Sequence, residues 1–89
     1  MILRVTFDDV QQHGTDSGGD IIYYYQGEPF TGIIEEIKNG VLIGESQFIN
    51  GHRGGIQREY IYPSGLLIEE FYIKISLKVI LKTGTKMGT

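Results

Sequence analysis

Apolar and polar residues alternate in short segments along much of this chain. Near the amino terminus, Leu3, Val5 and Phe7 alternate with polar residues. From residue 21 onwards, further runs of β-branched and aromatic residues are separated by turn residues. Because successive side chains of a strand point to opposite faces, a two-residue period predicts strands rather than helices.

Short turn motifs divide the middle of the chain into four apolar runs. Asn39-Gly40 joins residues 33–38 to residues 41–48, and Asn50-Gly51 precedes a run over 56–62. Residues 63–65, Pro-Ser-Gly, lead to the last run, 66–73. Asn-Gly favours the positive φ angles that a type I′ hairpin requires. Four consecutive strands joined by short turns predict an antiparallel meander.

The spacing of these turn residues repeats after roughly two dozen residues. Gln26-Gly27 corresponds to Asn50-Gly51, and Asn39-Gly40 corresponds to Ser64-Gly65. Each unit is a single hairpin, which cannot bury its apolar face alone and therefore stacks on its neighbours. The repeat predicts one domain over residues 1–89, with an amino-terminal strand and acidic loop in 1–20 and two hairpin repeats in 21–73.

Composition supports an all-β fold class. The chain has 13 Gly and 14 Ile but no Ala, although Ala is the best helix former. It also has no Cys, which excludes a disulfide scaffold and thiolate zinc sites. No apolar run has the length of a signal peptide or a membrane helix, so we expect a cytoplasmic protein.

The charge is divided unevenly along the chain. The formal net charge is -3, which argues against a nucleic-acid partner or a polybasic membrane anchor. Residues 1–70 hold 4 basic and 11 acidic residues, giving -7, and residues 71–89 hold 4 basic and no acidic residues, giving +4. The acidic body is therefore the predicted functional surface.

Residues 48–55 (FINGHRGG) and 58–67 (REYIYPSGLL) resemble the MORN-type hairpin repeat. The resemblance is closest to the bacterial YwqK-type antitoxin or immunity repeat proteins, and residues 23–32 (YYYQGEPFTG) resemble their opening repeat. It implies a single sheet of stacked hairpins. It also implies a protein-binding immunity protein or antitoxin, with a self-assembling structural or scaffold protein as the alternative. Residues 36–38 depart from the pattern, because they lack the aromatic pair that usually precedes the turn.

The segment 74–89 breaks the repeat. A Gly is expected near position 78, where the sequence has Lys78. A shifted reading frame permits Trp-Tyr-Glu-Asn-Gly across residues 83–88, which is the ending that the family favours. Two interpretations stay open: a frameshift that truncated a longer repeat protein, and an ordinary divergent strand. A stop codon in the shifted frame of the gene would exclude the first.

The sequence offers no pattern typical of a catalytic, cofactor or metal site, so we predict that the chain is not an enzyme and needs no cofactor. His13 and His52 lie far apart, and each lies in a polar or turn segment that favours an exposed loop histidine. Residues 35–36 and 69–70 are pairs of adjacent glutamates. Adjacent strand residues point to opposite faces, so neither pair works as a local acid–base couple. A partly cross-strand-paired sheet face is expected instead.

Two features suggest a binding surface for a protein partner, such as a basic toxin. The first is an acidic set near the amino terminus, whose charge attracts basic partners: Asp8, Asp9, Asp16, Asp20 and Glu28. The second is a run of tyrosines that are suitable interface anchors: Tyr23, Tyr24 and Tyr25. The alternatives are a solubilising loop for the acidic set and core packing for about half of the tyrosines. Alternation places Tyr24 opposite its two neighbours.

The same geometry predicts which apolar residues share a face. A regular two-residue hairpin puts one group on one face: Ile33, Ile37, Leu42 and Phe48. It puts a second group on the other face: Ile34, Val41 and Ile43. Both faces are then half apolar, and the last strand has an unpaired edge. We therefore predict a homodimer or higher oligomer, formed through edge pairing or sheet packing.

Overall fold

The computed structural model describes residues 2–74, and their regular structure is all-β apart from one turn of 3₁₀ helix at Phe7–Asp9. The predicted fold class is therefore confirmed. The strands are β1 (Arg4–Thr6), β2 (Gln11–Thr15), β3 (Ile21–Tyr25), β4 (Glu28–Pro29), β5 (Gly32–Lys38), β6 (Val41–Ile49), β7 (His52–Tyr60) and β8 (Leu67–Ile73). No helix among these residues is long and apolar enough to cross a membrane. Apart from Lys74, the segment interpreted as divergent or frameshifted lies outside the described residues.

The strands form two sheets rather than the single sheet that was predicted. A five-stranded sheet has the order β1-β5-β6-β7-β8, and a three-stranded sheet has the order β2-β3-β4. From β5 to β8, consecutive strands pair antiparallel across the turns that the sequence marks. The strand β1, by contrast, pairs parallel with β5, with Val5 opposite Ile34. Parallel neighbours need a long crossover connection, and the three-stranded sheet lies within that connection.

The predicted acidic loop over residues 8–20 contains regular structure. The 3₁₀ turn ends at Asp9, and β2 pairs with β3, where Gln11 lies opposite Tyr24 and Gln12 opposite Tyr23. Every residue of β2 is exposed. The strand is held by backbone pairing and not by an apolar face, so the hydrophobic pattern gave no signal for it.

A β-bulge in the first predicted hairpin changes which residues share a face. The β5–β6 register shifts by one residue between Glu36 and Ile37, and Ile43 lies opposite no residue of β5. A shift of one residue turns every later side chain to the other face. Phe48 therefore lies on the face of Ile34 instead of the face of Ile33, and the predicted grouping was wrong for that side chain.

The shared face of Ile34 and Phe48 is where the two sheets meet. Val5, Phe30, Ile34 and Phe48 form one buried cluster, and Tyr23 and Tyr25 pack against it. The small sheet thus packs against this cluster at the β1–β5–β6 end of the large sheet and contributes the partly buried Tyr23 and Tyr25.

Backbone hydrogen bonds also attach the small sheet to the β6–β7 turn. The Tyr23 amide donates to the carbonyl of Gly51 at 3.0 Å, and the Gly51 amide donates to the carbonyl of Phe30 at 2.7 Å. Gly51 has φ of 88°, and a Cβ there would lie 2.9 Å from Cγ2 of Ile22. The turn therefore requires glycine both for its backbone conformation and for this close approach.

Candidate functional site

The β2–β3 connection is organised around Asp16. Its Oδ1 accepts hydrogen bonds from the amides of Gly18 and Asp20, both at 3.0 Å. Its Oδ2 lies 3.0 Å from Nδ1 of His52, at the start of β7. The hydrogen bond with His52 is the main cause that lowers the pKa of Asp16, and the backbone amides of Asp20 and Gly18 lower it further. Both carboxylate oxygens of Asp16 are therefore hydrogen-bonded, and they hold this loop against the large sheet.

This geometry predicts how Asp16 responds to acid. We expect its carboxyl to titrate below the usual value of 3.8. Because its pKa is lowered in the folded state, Asp16 stabilises the fold above the unfolded pKa and loses that contribution as the pH falls through the folded pKa. In an NMR titration, His52→Ala is expected to move the pKa of Asp16 towards 3.8. The control His13→Ala leaves it unchanged, and an equal response to both variants would contradict the pairing.

The adjacent carboxylates of the 3₁₀ turn have different surroundings. Asp9 Oδ2 accepts hydrogen bonds from the amide and the hydroxyl of Thr6, at 2.9 and 3.1 Å. In this capping box, the side chain at the third position of the turn accepts from the amide of the N-cap residue, Thr6. Asp8 is exposed and makes no side-chain hydrogen bond or ion pair within residues 2–74. Of the two, Asp8 is therefore the one available to a partner.

The three consecutive tyrosines of β3 divide between the two faces of the small sheet, as alternation predicted. The ring centroid of Tyr23 lies 5.4 Å from that of Phe48, and the ring of Tyr25 lies 6.0 Å from that of Phe30. Tyr24 points the other way and stacks on His13, with centroids 3.9 Å apart and ring planes 16° apart. Tyr23 and Tyr25 thus belong to the core, and Tyr24 belongs to the opposite face.

The structure brings some of the predicted residues together and separates others. Asp20 and Tyr23 line the same cavity of about 350 Å³, beside Phe7 and Phe48. Glu28 lies opposite Tyr25, at the other end of β3 from Asp20. At about 3.3 Å per residue, the five steps from Asp20 to Tyr25 span roughly 16 Å. The acidic set therefore spreads over one side of the molecule and does not converge on a single point.

A row of charged residues across the large sheet was not predicted from the sequence. Glu35 lies opposite Glu45, Glu45 opposite Arg58, and Arg58 opposite Glu70. Arg4 on β1 completes the row. The row spans all five strands on the face that is turned away from the small sheet. In the sequence, this row was indicated only by the two pairs of adjacent glutamates, which were expected to take part in cross-strand pairs.

Glu45 is the centre of this row and is only 6% exposed. It accepts hydrogen bonds from Arg4 and from the hydroxyl of Tyr60, and Nη1 of Arg58 lies 3.5 Å from it. Arg58 also donates from Nε to Glu70 at 2.6 Å, and that hydrogen bond is the main cause that raises the pKa of the guanidinium. The buried carboxylate is therefore paired on both sides.

The opposite face of the large sheet carries three glutamates in line with Gly44. Glu36 lies opposite Gly44, Gly44 opposite Glu59, and Glu59 opposite Glu69. They line a cavity of about 310 Å³. Glu36 therefore points away from the face of Glu35, as predicted for adjacent residues. Across residues 2–74, no three His, Asp or Glu side chains are grouped so that they can hold a metal ion.

Comparison of the chain with protein-family models, with curated proteins and with solved structures finds no match. The likeness of roughly residues 20–73 to MORN-type repeats therefore stays a prediction from the sequence.

Proposed function

We propose that this chain is a non-catalytic protein-binding domain that acts as an immunity protein or antitoxin and blocks a basic toxin by covering its active surface. One observation carries the proposal: the side chains of Asp8, Asp20 and Glu28 are exposed and make no ion pair among residues 2–74. They lie on the small sheet and on the 3₁₀ turn beside it. The proposal assumes a cytoplasmic protein.

The two surfaces of the molecule differ in how their acidic charge is compensated. In the charged row, each of Glu35, Glu45 and Glu70 forms an ion pair with Arg4 or Arg58. On the small-sheet side, Asp8, Asp20 and Glu28 form no ion pair among the described residues. Uncompensated charge of one sign raises the rate at which an oppositely charged partner associates, and it disfavours partners of like charge. This asymmetry favours the small-sheet side as the binding surface.

The stacked pair of Tyr24 and His13 supplies an anchor on the same side. Tyrosine presents a large rigid area together with a hydroxyl, and it is enriched among residues that dominate binding energy. Because the stack fixes the ring of Tyr24 before a partner arrives, little side-chain freedom is lost on binding. Acidic residues around a rigid aromatic group form a surface that fits arginine- and lysine-rich partners.

The first test is co-expression with the product of the neighbouring gene. We expect the two proteins to copurify in a one-to-one complex and the partner to be basic. The triple variant Asp8→Asn, Asp20→Asn, Glu28→Gln is expected to associate about tenfold more slowly at low salt. High salt should reduce the difference, since screening acts on exposed charges.

The matched control removes the same charge from the large sheet, on the face that the small sheet packs against, in the triple variant Glu36→Gln, Glu59→Gln, Glu69→Gln. These residues line the cavity on the large sheet, so we expect an association rate close to that of the unchanged chain. A control that slows association as much as the first variant would show that net charge alone matters. That result would contradict the small-sheet side as the binding surface.

A self-assembling structural or scaffold protein is the second candidate. The observation that favours it is the exposed edge of β8, which carries large apolar side chains on both faces. A domain of this kind has other copies of itself as its main partner. The two candidates are distinguished by whether the purified chain associates with itself in the absence of any other protein.

A further inference from the structure

The outer edge of β8 is the longest strand edge that lacks a neighbour among residues 2–74. The strand has seven residues and pairs with β7 on one side only. Its outward amides and carbonyls meet no other strand in the described part of the chain. Such an edge is a template for pairing with a strand of another chain.

The side chains of this edge lack the features that usually protect it. Protected edges carry proline or abundant charge, especially lysine. Residues 67–73 contain no proline or lysine, and their apolar side chains are widely exposed, with Ile68 at 56% and Tyr72 at 61% of full exposure. Leu67 and Phe71 are also exposed. Pairing with another strand would remove much of this surface from water.

The charges of β8 favour a second copy of the same chain as the partner that pairs with this edge. We infer that two copies pair antiparallel through β8, centred on Tyr72. In this register Glu70 lies opposite Lys74 of the other copy, and the two-fold axis repeats the pair. Phe71 then lies opposite Ile73, an aromatic and β-branched pair of the kind that stabilises antiparallel neighbours.

Other registers of self-pairing are less favourable. A centre at Glu69 or at Glu70 puts that glutamate opposite itself. A centre at Phe71 puts Glu70 opposite Tyr72 and Glu69 opposite Ile73, and so forms no ion pair. Like charges directly opposite destabilise a strand pair. The register centred on Tyr72 avoids both arrangements and joins two five-stranded sheets into one continuous sheet. Because the contact is two-fold symmetric, it closes as a dimer and does not propagate into a filament.

This inference deepens the self-assembly candidate and is independent of the antitoxin proposal. The dimer uses β8, whereas the proposed partner surface lies on the small sheet. A failure of toxin binding therefore leaves the inference intact, and a monomeric chain leaves the antitoxin proposal intact.

The test is the mass of the purified full chain in solution, measured by light scattering during gel filtration at micromolar concentration. We expect the unchanged chain to have twice the mass of 10.0 kDa.

Lys74→Glu places two glutamates opposite each other, and Glu70→Lys places two lysines opposite each other. Each variant alone is expected to dissociate about tenfold more readily. An equimolar mixture of the two variants restores both ion pairs and is expected to restore the dimer.

Lys38→Glu is the matched control, because it makes the same change of charge at the β5–β6 turn, where Lys38 contacts the ring of Tyr62 at the opposite end of the sheet from Lys74. We expect it to remain dimeric. Glu70→Lys also removes the hydrogen bond from Arg58, so circular dichroism should verify its fold. Lys74→Glu is free of that complication, since Lys74 makes no side-chain hydrogen bond within residues 2–74.

Three results would overturn the inference. The first is an unchanged chain with the mass of a monomer. Slow hydrogen exchange of the β8 amides in such a monomer would show that another segment of the same chain covers the edge. The second is a dimer that is unaffected by Lys74→Glu, which places the contact elsewhere. The third is a mixture of the two folded variants that stays dissociated, which excludes the register centred on Tyr72.

Discussion

Replacing Phe30 with Ala is expected to lower the free energy of unfolding by about 4 kcal/mol, within the range of buried Phe-to-Ala changes. Phe30 is 1% exposed, and its ring lies between Tyr25 of the small sheet and Phe48 of the large sheet. Truncation leaves a cavity at the contact between the sheets, and close packing keeps the surrounding side chains from filling it. Urea unfolding followed by circular dichroism measures the change.

The control for this prediction is Phe7→Ala. Phe7 is 44% exposed, and its ring centroid lies 5.6 Å from that of Tyr23. Because nearly half of its area stays in contact with water, we expect a loss of about 1 kcal/mol. Equal losses for the two variants would show that Phe30 does not connect the sheets as described. Tyrosine fluorescence provides a second probe, since the chain has no Trp.

Replacing Glu45 with Ala is expected to cost about 3 kcal/mol, the lower end of the range for breaking a buried ion pair. The change removes the hydrogen-bond acceptor of Arg4 and Tyr60 and an ion-pair partner of Arg58. Arg4 and Arg58 remain partly exposed, so water solvates part of the charge that they no longer share with Glu45. We therefore expect the loss of stability to lie at the lower end of that range. The Tyr60 hydroxyl also loses its hydrogen-bond acceptor, which adds to the cost.

Glu35→Ala serves as the comparison for Glu45→Ala, because Glu35 lies directly opposite Glu45 and also pairs with Arg4. Glu35 is more exposed and has a single ion-pair partner, so we expect a loss of about 0–1 kcal/mol. Urea unfolding at low and high salt measures both variants. If salt reduced the loss for Glu45→Ala as strongly as the loss for Glu35→Ala, Glu45 would be a surface charge and the burial argument would fail.

The local pattern of apolar, polar and turn residues was sufficient to predict the strands from β5 to β8. It was also sufficient to predict that the three tyrosines of β3 divide between two faces. Asn39-Gly40 and Asn50-Gly51 lie in turns with positive φ, as the dipeptides predicted. Tyr24 lies opposite its neighbours because alternation along a strand is a property of the backbone. Both features depend on residues that are close in sequence.

The candidate binding surface was only partly predictable. Composition identified the acidic residues, but it did not show that Asp9 and Asp16 are hydrogen-bonded within the fold while Asp8 and Asp20 are exposed. Stacking of His13 on Tyr24 was also not predicted, because their contact depends on the pairing of β2 with β3. The strand β2 has no apolar alternation that would have revealed this pairing.

The amino-acid sequence by itself determined the all-β class, the turns and the alternation of side chains, because these follow from short-range conformational preferences. Tertiary structure alone decided the separate small sheet, the parallel pairing of β1 with β5 and the row of charges centred on Glu45. Each depends on contacts between residues far apart in the chain. The bulge at Ile43 shows the reason: one unpaired residue reverses the face of every side chain beyond it. It thereby moves Phe48 into the core and Glu45 into the charged row.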